Sequence, residues 1–92
     1  MKPNLQDSAR GFSLLSDPTR LGIVQVLARG PKSVTGLRKT LKLKQPRVSH
    51  HLGLLRLGGL VNGTRQGKSV IYSCDKASLK ALASGLSNLM PK

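Results

Sequence analysis

The chain has 92 residues, 38% of them hydrophobic, which is enough for one small core and too little for a multidomain enzyme. Its 16 lysines and arginines face only 3 acids, Asp7, Asp17 and Asp75, for a formal charge of +13. A surface so one-sided in sign repels itself and favours a polyanionic partner.

Taken in order, Leu5, Ala9, Phe12 and Leu15 recur at helical spacing and predict a first helix. Asp17 and Pro18 then supply an N-cap and a first helical position for a second, whose apolar stripe is read as Leu21, Val24, Leu27 and Ala28. Gly30 and Pro31 stop it. Ser33 caps a short third helix that turns Val34, Leu37 and Leu41 inward and Arg38, Lys39 and Lys42 outward. A fourth helix is expected from Lys44 to Gly58, with Val48, Leu52 and Leu55 on one face and Pro46 in the first turn, where a missing N–H does no harm. The link from Lys42 to Gln45 is short enough to make helices three and four a helix-turn-helix. After Gly59 the period changes to that of strands: Leu60 to Arg65, a turn at Gln66 and Gly67, then Ser69 to Ser73. Asp75 caps a last helix whose Leu79, Leu82, Leu86 and Leu89 form a stripe, with Ala83 and Met90 beside it. The expected fold is mainly α with a small β-hairpin, a winged helix-turn-helix of about five helices and a two-stranded wing, as a single domain over residues 1–92.

Every basic residue from Arg20 to Lys68 stands in a stretch without an acid, and these charges are interleaved with periodic apolar residues, so they belong to a folded surface and not to a disordered tail. An α-helix fits the major groove of duplex DNA, and the N-terminal part of the second helix of such a motif is what reaches the bases. With Val48, Leu52 and Leu55 turned inward, Gln45, Pro46, Arg47, Ser49, His50 and Gly53 are left outward or flanking. Gln45, Arg47 and His50 are assigned to base edges and Ser49 to a base or a phosphate. Arg38, Lys39, Lys42 and Lys44 lie where phosphates pass, and Arg65 and Lys68 at the hairpin tip are placed to enter the adjacent minor groove. His51 falls beside Leu55 and is read as a packing residue outside the binding set.

The run from Leu15 to Leu21, containing Ser16-Asp17-Pro18-Thr19-Arg20, resembles the start of the second helix in the ArsR/SmtB family of repressors. Gln45 to Leu52 resembles that family's recognition helix, and Leu55 to Tyr72 its wing. The resemblance implies a homodimer, built from the first and last helices, that holds an operator until an effector releases it. It also implies where metal ligands would stand. The two cysteine positions of the arsenic and cadmium/lead type are Ser33 and Thr35 here, and of the four zinc-type positions only Asp75 is matched, the others being Ala77, Asn88 and Pro91. Neutral hydroxyls and a lone carboxylate do not make such sites, so no metal and no cofactor are expected. Lys44 departs from the family's usual capping Ser or Thr.

Leu5, Phe12, Leu15, Leu79, Leu82, Leu86 and Leu89 need a partner surface that so small a domain can hardly supply, and pairing across a two-fold axis provides one. The stretch from Gly63 to Ser69 looks like a phosphate-binding loop one residue short, but strand formers follow it, so no helix N-terminus is there to cradle phosphate. Ser49 and His50 are helical neighbours that diverge, so they are not a nucleophile with its base. No enzyme is expected. The polar opening from Met1 to Arg10 has no signal-peptide core and the apolar stretch from Leu21 to Ala28 is too short to span a bilayer, so a cytoplasmic protein without membrane contact is expected. Cys74 is single and reads as a buried thiol. The leading reading is a sequence-specific dimeric repressor. Its alternatives are an architectural protein that coats DNA with little sequence choice and a winged helix that serves as a protein-interaction module.

Overall fold

Each helix of the fold begins at a residue held in extended backbone, and four of the five begin with a side-chain cap that accepts an N–H three residues on. The structure is a computed structural model and describes residues 4–91. Asn4 caps α1 (Leu5–Leu14), Asp17 caps α2 (Pro18–Leu27), Ser33 caps α3 (Val34–Leu41) and Asp75 caps α5 (Lys76–Ser87). The exception is α4 (Gln45–Leu57), whose N-cap Lys44 makes no side-chain cap bond. Leu15 lies just past α1, as its C-cap. At the far end of α4, Gly59 takes φ +79, and Leu60 N–H and Gly59 N–H donate to the Leu55 and Arg56 carbonyls. This pair of bonds closes the helix and turns the chain into the hairpin.

The core is Ile23, Val24, Leu27, Leu37, Val48, Leu52, Leu55, Leu60, Val61 and Leu82. The inner face expected for α4 is therefore the observed one, but that of α2 is shifted. Leu21 is 51% exposed and Ala28 is exposed, while Ile23 is fully buried. Two arcs of helical spacing share Val24 and Leu27. The one that packs against α3, α4 and the sheet runs through positions 20, 23, 24 and 27. Its first member is an arginine, which hides the arc from a hydrophobic reading.

The wing is also larger than a two-stranded hairpin. β2 (Val61–Gln66) pairs antiparallel with β3 (Ser69–Cys74), and β3 pairs on its other edge with the two-residue strand β1 (Lys32–Ser33), in the order β1-β3-β2. Two residues carry no period of their own, so the free edge of β3 is what makes Lys32 and Ser33 a strand. The turn sits one residue later than expected. Gln66 pairs with Ser69, which leaves Gly67 at φ +61 and Lys68 as the loop.

α1 and α5 pack on each other at close range. A Cβ on Gly11 would overlap the Leu82 side chain, and one on Gly85 would press on the Ser8 hydroxyl. Leu82, expected at an interface between copies, is thus 8% exposed within the protomer's own core, because Gly11 leaves room for it. Phe12, Leu15 and Leu79 are half-buried against that core, whereas Leu5, Leu86, Leu89 and Met90 remain 55–80% exposed.

Candidate nucleic-acid interface

Three elements present the basic side chains: α3, the turn from Lys42 to Lys44 that joins it to α4, and the hairpin. On α3, burial of Leu37 leaves Arg38 and Lys39 in solvent. Lys42 ends the helix in the left-handed conformation at φ 56, the one non-glycine residue with positive φ among those described, and is exposed. That geometry lets the Leu43 N–H reach back to the Arg38 carbonyl and turns the chain sharply into α4.

On α4, Val48, Leu52 and Leu55 are buried at 0–1% exposure, and Gln45, Pro46, Arg47, Ser49 and His50 are all exposed on the other side. The structure thus brings Arg38, Lys39, Lys42, Lys44 and the five outer residues of α4 onto consecutive exposed segments of one helix-turn-helix. Arg65 and Lys68 are exposed as well, Lys68 in the loop itself and Arg65 opposite Val70, on a hairpin where β2 is exposed everywhere after Val61.

Among the described residues no lysine or arginine lies within ion-pair distance of a carboxylate, so the charge of this surface is uncompensated from within. The Arg47 guanidinium instead donates to the Thr19 hydroxyl at 3.3 Å. The first turn of α4 has a further vacancy. Lys44 offers no acceptor and Pro46 has no N–H, so the Arg47 N–H at the third position has no cap partner, at the positive end of the helix.

Two residues outside the expected set belong to the same assembly. Arg20 is half-buried, with Nε donating to the Leu14 carbonyl at 2.7 Å and Nη1 lying 3.2 Å from His51 Nδ1. His51 sits at the core's edge as expected, but with a polar partner, and the Asp17 carboxylate is 4.0 Å away. Burial pushes the His51 imidazole below the usual histidine range, against the pull of Asp17, and Arg20, His50 and Arg47 lower it further. The Asp17 carboxyl is held below its ordinary value chiefly by the Arg20 backbone N–H that it accepts. The signal for Arg20 was its place at the head of the arc through Ile23, Val24 and Leu27.

The Asp75 carboxylate is already engaged. One oxygen accepts the Ser78 N–H at 3.0 Å and the other the Asn62 side-chain amide at 3.2 Å, which tethers the base of the hairpin to the start of α5. Cys74 is half-buried at the end of β3, where burial and then the Asp75 charge raise its thiol above the ordinary value. Among the described residues, no three His, Cys, Asp or Glu side chains cluster closely enough to hold a metal, and no helix is long and apolar enough to cross a membrane.

Residues 17–63 match the sequence profile of the family described as bacterial regulatory protein, arsR family. The chain is 46% identical over 65 residues to the HTH-type transcriptional regulator NmtR of Mycobacterium tuberculosis, an alignment covering 71% of this chain and 54% of that protein. It is 47% identical over 62 residues to the arsenical resistance operon repressor of Escherichia coli, covering 66% of this chain and 53% of that one. The chain therefore spans about half the length of these relatives. Among solved structures, HlyU from Vibrio cholerae superposes with a TM-score of 0.81 at 30% identity and covers 97% of both chains.

Proposed function

Since the chain belongs to the arsR family of bacterial regulatory proteins, we propose that it is a sequence-specific transcriptional repressor that binds double-stranded DNA as a homodimer. The observation that carries this reading is the opposition of the two faces of α4. Val48, Leu52 and Leu55 are buried, while Gln45, Arg47, Ser49 and His50 are exposed beside lysines and arginines that have no carboxylate partner among the described residues. Glutamine and arginine are the side chains that pair with adenine and guanine edges, and the turn and α3 supply the phosphate contacts that set register. Arg65 and Lys68 carry the same grip into the neighbouring groove.

Dimerisation is proposed through α1 and α5. The surface for it is the exposed strip of Leu5, Leu86, Leu89 and Met90 that remains after the two helices have packed on each other. Phe12, Leu15 and Leu79 border it, and Leu82 supports it from within. A two-fold axis there would carry two copies of α4 to successive major grooves. The repressor is proposed to work without the family's metal ligands, since Asp75 is committed to capping α5 and to Asn62.

The test is fluorescence anisotropy on duplex oligonucleotides across salt, with random DNA as competitor. A selected duplex should outlast random sequence by roughly a thousandfold at about 150 mM salt. Loss of that ratio with tight binding retained would favour the architectural alternative, and no binding at low salt would refute both. Light scattering of the Leu86→Glu variant should show a monomer if the proposed axis is right. An unchanged dimer would move the axis elsewhere.

A further inference from the structure

Among the described residues, two side-chain hydrogen bonds join α4 to the rest of the molecule, and both end on the first turn of α2. The exposed one is Arg47 to Thr19, and the part-buried one is Arg20 to His51. Arg20 also holds the Leu14 carbonyl through Nε, and the Leu14 side chain fills the space where a Cβ on Gly58 would stand. The C-terminal end of α1 therefore reaches α4 twice, by apolar contact at its end and through Arg20 at its middle. A guanidinium only donates, so the Arg20 to His51 bond needs the lone pair of Nδ1 and a neutral ring with its proton on Nε2.

We propose that Arg20 and His51 are positioning residues for base reading: their hydrogen bond fixes the rotation of α4 about its own axis, and with it the angle at which Arg47 and His50 enter the groove. The claim rests on the DNA-binding reading above. The remaining contacts of α4's inner face, Val48, Leu52 and Leu55, are apolar, and such contacts are non-directional. A hydrogen bond from a charged donor is directional, and of the two that α4 makes, the part-buried Arg20–His51 bond is the one at the edge of the core and shielded from water, whereas Arg47–Thr19 is exposed. Base-edge contacts need placement to about 0.5 Å, whereas lysines reaching phosphates tolerate more, so loss of the bond should reduce sequence preference more than general affinity.

The bond is also sensitive to acid. The groups facing His51 are Asp17, the N-cap of α2, Arg20 from α2, His50 and Arg47 from α4, and the Leu14 carbonyl of α1 by way of Arg20. Protonating the ring removes the acceptor and sets a cation against Arg20, with Asp17 as the single opposing charge among them.

The experiment uses the full chain, a duplex that the protein itself selects from a random-sequence pool, and a scrambled duplex of the same composition. The readout is the ratio of the two dissociation constants from about pH 8 to about pH 5. His51→Leu and Arg20→Met should each lower the preference about tenfold while binding the scrambled duplex nearly as wild type does. His51→Asn can place its Oδ1 where Nδ1 stood. It should keep most of the preference at neutral pH and hold it in acid, where wild type loses it. His50 is present in both proteins, so their comparison removes its contribution. Equal losses on both duplexes that follow a lowered melting temperature would overturn the inference, as would an unchanged preference or parallel pH profiles for wild type and His51→Asn. If His51→Leu or Arg20→Met fails to fold, the His51→Asn profile alone decides. Failure of the wild type to retain any duplex at low salt would remove the DNA-binding reading itself, a result distinct from these.

Discussion

Replacing Lys44 with serine should stabilise the free protein and weaken its hold on DNA. Lys44 already has the backbone of a capping residue, φ −78 and ψ 150, close to the −77 and 169 of Ser33, so the serine needs no rearrangement to act. In the four capped helices the acceptor takes the N–H three residues on, at 2.7–3.1 Å. At α4 that group is the Arg47 N–H, and with Pro46 between them no other N–H in the first turn suits a cap. A cap of this kind contributes about 1 kcal/mol, which for a domain of this size is about 4–8 °C in Tm. Calorimetry or thermal circular dichroism of Lys44→Ser against Lys44→Ala separates the cap from the loss of charge, since alanine removes the charge and adds no acceptor. For DNA the direction reverses. The serine hydroxyl occupies an N–H otherwise free for a phosphate, and the lost charge should lower the slope of log affinity against log salt by about 1. A melting temperature for Lys44→Ser no higher than that of Lys44→Ala would mean that the serine does not cap α4. A raised melting temperature with the serine and alanine variants equal in DNA affinity would refute the phosphate half alone.

Lys42→Gly should relieve a left-handed backbone worth about 1 kcal/mol, raising Tm while weakening all duplexes about equally; a lower melting temperature would mean that the turn carries no strain. Arg47→Ala should cost on the order of 1–3 kcal/mol in operator binding and relax sequence preference, and a uniform loss on every duplex would reassign Arg47 to a phosphate. Gly11→Val should lower stability by about 1–3 kcal/mol, because its side chain would collide with Leu82 in the α1–α5 contact; urea unfolding at the wild-type midpoint would contradict that packing. Stability should also fall in mild acid. His51 titrates below the ordinary 6.5 in the folded chain, so the unfolded state binds the proton first, and the contribution present above 6.5 is lost as pH falls towards the folded value. Asp17 and Asp75 lie below their ordinary 3.8 and act only in stronger acid, so a urea midpoint that is flat from neutral to about pH 5 would refute the His51 assignment.

Features that depend only on neighbours along the chain were legible before any fold was known. Asp17, Ser33 and Asp75 cap the helices they were expected to cap, Gly67 lies in the hairpin turn, and the 3.6-residue period selects Val48, Leu52 and Leu55 as the inner face of α4. With that face buried, the exposed residues of the opposite side followed, because a helix allows no other choice. Tertiary structure decided whatever depends on a distant surface. Only the free edge of β3 makes Lys32 and Ser33 a strand, and only the packing of α2 chooses between two arcs that share Val24 and Leu27. The space at Gly11 draws Leu82 into the protomer's own core. Arg20 and His51 are 31 positions apart, and neither residue type announces a partner in sequence. They meet because α2 and α4 lie side by side, and a directional bond between two helices becomes visible only once both axes are fixed.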